Sequence, residues 1–154
     1  MKKIASVLIL SLYVACSESD SVKEDVLASN GIALSGYDVV AYFEDSEARQ
    51  GSDSTTTEHN GFTYYFSNVE YKKLFDKNPN QYLPAYGGWC AYAVATNSIK
   101  MESDPTMWKI QDDRLLLFYD DWTTFFTGKL IDEWNQTPIN YEEKADANWN
   151  NMTN

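Results

Sequence analysis

The clearest alternation of apolar and polar positions is "GFTYYFS" at 61–67. Phe62, Tyr64 and Phe66 fall on one face, Thr63 and Tyr65 on the other, which predicts a half-buried strand. Ser67 and Glu70 follow with S-x-x-E capping-box spacing. That spacing predicts a helix over 68–78, with Val69, Leu74 and Phe75 turned to a core. Pro79 ends this helix or restarts a short one in "PNQYLPAY", which Gly87 and Gly88 terminate. "WCAYAVA" at 89–95 reads as a strand, with Trp89, Ala91, Ala93 and Ala95 on one face and Cys90, Tyr92 and Val94 on the other. "TMWKIQ" and "RLLLFY" flank Asp112-Asp113 and predict a hairpin. The unbroken "LLLF" within it marks an inner strand covered on both faces.

Upstream, "IALSGYDVVAYFE" from Ile32 reads as a turn entering a short strand, and residues 45–60 as a long polar loop. Downstream, "DDWTTFFTGKLIDEW" is helical by pattern. Asp121 is its N-cap, and Trp122, Phe125, Phe126, Leu130 and Trp134 form one apolar stripe. A last short helix follows Pro138 in "NYEEKADANW". The order of elements predicts an α+β fold: a small, mostly antiparallel sheet with helices packed on one side.

The N-terminus has a different character. "MKK" followed by "IASVLILSLYVA" is a charged start and a short apolar run, the pattern of a signal peptide rather than a spanning helix. "LYVAC" resembles a bacterial lipobox, although Tyr13 stands where the pattern prefers Leu. Residues 1–16 are therefore read as a leader ending at a lipidated Cys16. Residues 17–31 are read as a flexible acidic tether and 32–150 as one domain. The expectation is an exported protein, in the periplasm or on a cell surface, touching the membrane only through the lipid.

The formal net charge of the 154-residue chain is -11, and loss of Lys2 and Lys3 with the leader makes the remainder more acidic. A basic nucleic-acid footprint is excluded. The single histidine, His59, excludes any zinc site built on two or more imidazoles. No phosphate loop, dinucleotide fingerprint, nucleophile elbow, HExxH or EF-hand pattern occurs. The acidic tether and the acidic C-terminal helix read as solvated surfaces.

The candidate chemistry gathers around Cys90. Outside the cytoplasm an unpaired thiol is either well buried or kept for use. A packed thiol, a metal ligand and a redox nucleophile all stay open, while a disulfide to Cys16 is disfavoured because Cys16 is lipidated or removed. A lowered thiol pKa needs nearby positive charge, and Lys109 is the candidate donor. His59 is either a solvated loop residue or a second ligand, and a Cys–His pair suits copper or zinc. Tyr37, Tyr65, Tyr86, Trp89 and Tyr92 are either packing residues or the walls of a small-ligand pocket. Asp38 either satisfies the N–H groups of a turn or adds an oxygen ligand.

Several stretches in order, "GYDVVAYF" (36–43), residues 61–94, "DPTMWKI" (104–110), "LLLFYD" (115–120) and "KADANW" (144–149), resemble exported bacterial YHS domain-containing proteins. The resemblance implies a small α+β module with a candidate metal-binding role. Some relatives carry selenocysteine at the position matching Cys90, which implies a chemical role there. The thiolate pair of metal-associated YHS modules is missing. Val39 replaces a proline, Ala41 stands at one cysteine position and Ser67 at the other. The resulting expectation is an exported YHS-like protein that binds a metal ion or small ligand near Cys90, through Cys90, Tyr92, Tyr37, Asp38, Tyr65 and Tyr86, with His59 as a second metal ligand. Two alternatives are a thiol-dependent redox enzyme using Cys90 and an interaction module without chemistry.

Overall fold

The computed structural model of the protein describes residues 25–120, 129–136 and 140–154. The fold is α+β, with a four-stranded sheet and a separate two-stranded one. The strands are β1 (Ala28–Ser29), β2 (Ile32–Ala33), β3 (Ser52–His59), β4 (Phe62–Phe66), β5 (Asp104–Gln111) and β6 (Arg114–Phe118). The helices are α1 (Ala41–Glu44), α2 (Val69–Lys77), α3 (Pro79–Tyr82), α4 (Ala91–Asn97), α5 (Lys129–Gln136) and α6 (Tyr141–Thr153).

Three two-residue turns shape the sheets. Asn30-Gly31 joins β1 to β2, Asn60-Gly61 joins β3 to β4, and Asp112-Asp113 joins β5 to β6. Both central residues of each turn have positive φ, the backbone of a type I′ hairpin, and Asn-Gly adopts it most readily. The larger sheet has the order β1-β2-β4-β3. It is mixed: β1–β2 and β3–β4 pair antiparallel, and β2 meets β4 in parallel. The polar stretch 45–60, expected as a loop, holds β3. Its Ser-Thr run pairs with β4 from Thr56↔Tyr65 to His59↔Phe62, so the apolar alternation of β4 supplied the partner that its own composition hid.

β6 separates two cores. Leu115 and Leu117 join Val39, Tyr42, Tyr64, Phe66 and Phe75 on one side. Leu116 and Phe118 join Tyr86, Val94, Trp134 and Ala145 on the other. All four apolar side chains of β6 are fully buried, as "LLLF" anticipated, and each contributes roughly 1.5–3 kcal/mol of burial energy.

Three local expectations change. "WCAYAVA" is not a strand: only Cys90 makes an isolated parallel bridge, to Leu117, and Ala91 begins α4. An alanine-rich heptad propagates a helix readily once its first turn is anchored, and Val94 N–H donates to the Cys90 carbonyl. "VVAYFE" forms α1 in place of a short strand. The N-cap of α2 is Asn68, whose side chain accepts from Tyr71 N–H, while Ser67 turns to Asp38. In α2, Phe75 is buried, but Val69 and Leu74 stay exposed. Of the stripe over 120–134, Asp121, Trp122, Phe125 and Phe126 lie outside the described residues; Trp134 is buried in the second core.

Residues 25–31 are part of the fold. Leu27 N–H donates to the Gly87 carbonyl, Lys100 pairs with Asp25 at 2.7 Å, and the sheet begins at Ala28, ahead of Ile32. The acidic C-terminal helix α6 is also more than a solvated surface. Glu142 and Asp146 hold Arg114 at 2.8 Å each, Asp146 accepts from the Tyr86 hydroxyl, and the Arg114 guanidinium lies 5.2 Å from the Tyr86 ring centre. This network ties α6 to β6.

Candidate functional site

Cys90 is fully buried at the first turn of α4. Its sulfur accepts from Tyr119 N–H at 3.3 Å, and its own N–H donates to the Met101 carbonyl. Burial pushes the thiol pKa up, and the backbone N–H groups of Ala93, Tyr119 and Tyr92 only partly offset that push. Lys109 does not supply a countercharge, because its ammonium group donates to Gln111 and Asn135. Cys90 thus has the environment of an inert packed thiol. Peptide-resolved alkylation with iodoacetamide is expected to label Cys90 at least a hundredfold more slowly in the native protein than in denaturant at neutral pH. Equal rates would refute the closed pocket.

The other expected site residues divide among separate places. His59 ends β3, with its ring against Phe75 at 5.7 Å and Tyr64 at 6.3 Å, and its buried Nε2 has no hydrogen-bond partner. None of these neighbours contacts the Cys90 sulfur in the bonds above. Among the described residues no group of three or more His, Cys, Asp and Glu side chains is arranged to hold a metal ion. The Cys90 sulfur is closed off by burial, and the half-buried His59 imidazole packs against Tyr64 and Phe75.

Tyr86 and Tyr92 belong to the second core. Tyr86 donates to Asp146 and Tyr92 to Glu133, and burial first, then these carboxylate bonds, raises both phenol pKa values. Asp38 is the buried carboxylate of the first core. Oδ1 accepts from Val40 N–H at 3.0 Å, and Oδ2 accepts from Ser67 N–H at 2.7 Å and the Ser67 hydroxyl at 2.8 Å. These bonds join the α1 turn to the end of β4. Tyr37 makes an isolated bridge with Gln50.

Tyr65 is different. It points from the outer face of β4 into a cleft of about 640 Å³. Segment 36–38 fixes one wall by pairing with 49–51: Gly51 N–H donates to the Gly36 carbonyl and Asp38 N–H to the Arg49 carbonyl. A methyl group on Gly36 would lie 3.1 Å from Tyr65 Cδ2, and one on Gly51 would lie 2.4 Å from the Tyr65 carbonyl carbon. The absence of side chains at both positions lets the tyrosine sit against the wall. Around it stand Ser29, Asn30, Ser35, Gln50 and Asp53. Their side chains, like the Tyr65 hydroxyl, make no hydrogen bond or ion pair within the described residues.

Of the expected site residues, only Tyr65 lines this cleft. The others around it are polar residues of turns and strand edges that match no chemical motif. The available signal was the Asn30-Gly31 hairpin turn together with the outward-facing position of Tyr65 on its strand. Comparisons with protein-family models, curated proteins and solved structures gave no match.

Proposed function

We propose that the protein is an exported, lipid-anchored binding module with a YHS-like domain, and that it takes up a small organic molecule in the cleft at Tyr65. The observation that carries this reading is the cleft itself. Its volume falls within the roughly 300–1,000 Å³ common for ligand pockets, and exposed polar side chains line it beside one aromatic residue. The leader-like "MKK" and apolar run before Cys16 support export and anchoring. The resemblance of residues 36–43 and 61–94 to exported YHS-domain proteins supports a binding role for the domain. Relative to the expectation of a site near Cys90, the small-ligand reading moves to Tyr65, and the copper or zinc reading is dropped.

The test is amide-resolved NMR of the full chain against a fragment library. Hits are expected to shift amides at 29–35, 50–53 and 65, and Tyr65→Ala is expected to weaken them at least tenfold. Hits that cluster around Cys90 or on α6 instead would overturn the reading.

A further inference from the structure

The side chains lining the cleft restrict what it can hold. None of the described lining residues is Lys or Arg, and the one charged group is Asp53. A phosphate or carboxylate would meet only negative charge there, in a chain of net charge -11. A quaternary ammonium ion is best held by a cage of several rings, and Tyr65 is the sole aromatic residue lining the cleft among those described. Besides Ile32 and Gly51, the remaining groups are hydroxyls, two carboxamides and a carboxylate. Hydroxyls and carboxamides both donate and accept, and the carboxylate accepts at two oxygens. One face of the arrangement is an aromatic ring with an electron-rich surface.

Resting on the cleft reading above, we propose that the ligand is a neutral pyranose sugar. Its C–H face lies on the Tyr65 ring and its hydroxyls bond to Ser29, Asn30, Ser35, Gln50 and Asp53. A sugar ring presents both surfaces the cleft requires: an edge of hydroxyls that donate and accept, and a flat face of weakly positive C–H groups. The cleft is largely set before binding. The type I′ turn orients Asn30, Ser35 lies in a short 3-10 turn (Leu34–Gly36), Gly36 backs the Tyr65 ring, and Gly51 lies against the Tyr65 backbone. Little conformational entropy is then lost when the sugar arrives.

The test titrates the full-length protein with maltose, cellobiose and N,N′-diacetylchitobiose, with choline and inorganic phosphate as parallel probes. Amide NMR shifts report where each binds. At least one sugar is expected to shift the amides of 29–35, 50–53 and 65 saturably, with a Kd of about 1 mM or tighter. Tyr65→Ala and Asp53→Asn are each expected to weaken that binding at least tenfold, while Tyr119→Ala, an exposed tyrosine away from the cleft, leaves it unchanged. Asp53→Asn keeps the size of the side chain, so it remains informative if Tyr65→Ala folds poorly. Cleft shifts with choline or phosphate but with none of the sugars would overturn the sugar assignment and leave the cleft as a ligand site. Cleft shifts with none of these probes, together with fragment hits elsewhere, would overturn both.

Discussion

Asp38→Ala is expected to cost about 3–6 kcal/mol of stability, the largest loss of any single substitution considered. The carboxylate is fully buried and accepts from Val40 N–H, Ser67 N–H and the Ser67 hydroxyl. Alanine leaves those three donors without their acceptor, and each stranded donor costs about 1–3 kcal/mol. Domains have only about 5–15 kcal/mol in total. At roughly 2–4 °C per kcal/mol for a chain of this size, thermal unfolding followed by circular dichroism should fall by about 10 °C or more. Asp38→Asn keeps one acceptor oxygen and should fall between wild type and alanine. A change in Tm below about 2 °C for Asp38→Ala would show that the carboxylate does not hold α1 to β4.

Gly87→Ala is the second. Gly87 has φ +60, and a methyl group there would lie 1.7 Å from the Asp25 carbonyl oxygen, a backbone atom that cannot swing away. The segment 25–29 must move, and the Leu27 N–H bond to the Gly87 carbonyl is lost with it. Left-handed strain of about 1–2 kcal/mol, the lost hydrogen bond and the overlap together predict a loss of about 3 kcal/mol or more. Gly61→Ala serves as the comparison. It meets the same kind of strain at φ +82 with nothing within 4 Å of the added methyl, so its loss should stay near 1–2 kcal/mol. Hydrogen exchange should show faster opening of residues 25–33 in Gly87→Ala alone. Equal losses in the two variants would mean that residues 25–29 do not rest on Gly87.

The readable parts of the chain were those whose partners are close in sequence. The β5–β6 hairpin, the α2 segment and the two-sided burial of β6 follow from local periodicity. β3 did not follow, because Ser-Thr-rich composition is neutral between loop and strand until β4 pairs with it. The helix at 91–97 was missed because period two and an alanine-rich helix overlap over so few residues. The Asn-Gly pairs were a readable hairpin signal that periodicity alone passed over. The aromatic residues expected around Cys90 were a matter of which core each would join, and β6 divides them by the direction of alternate side chains.

What the sequence determined by itself is the set of local preferences: where the chain turns, which residues must leave water, and which chemistry one histidine, two cysteines and strong negative charge exclude. The tertiary structure alone decided the site. The cleft at Tyr65 lies where segments 29–35, 50–53 and 65 meet, and those stretches come together where Tyr65 packs against Gly36 and Gly51. Cys90 is enclosed for the same kind of reason. A thiol's reactivity depends on solvent access and nearby charge, and both are set by chain segments far from it in sequence.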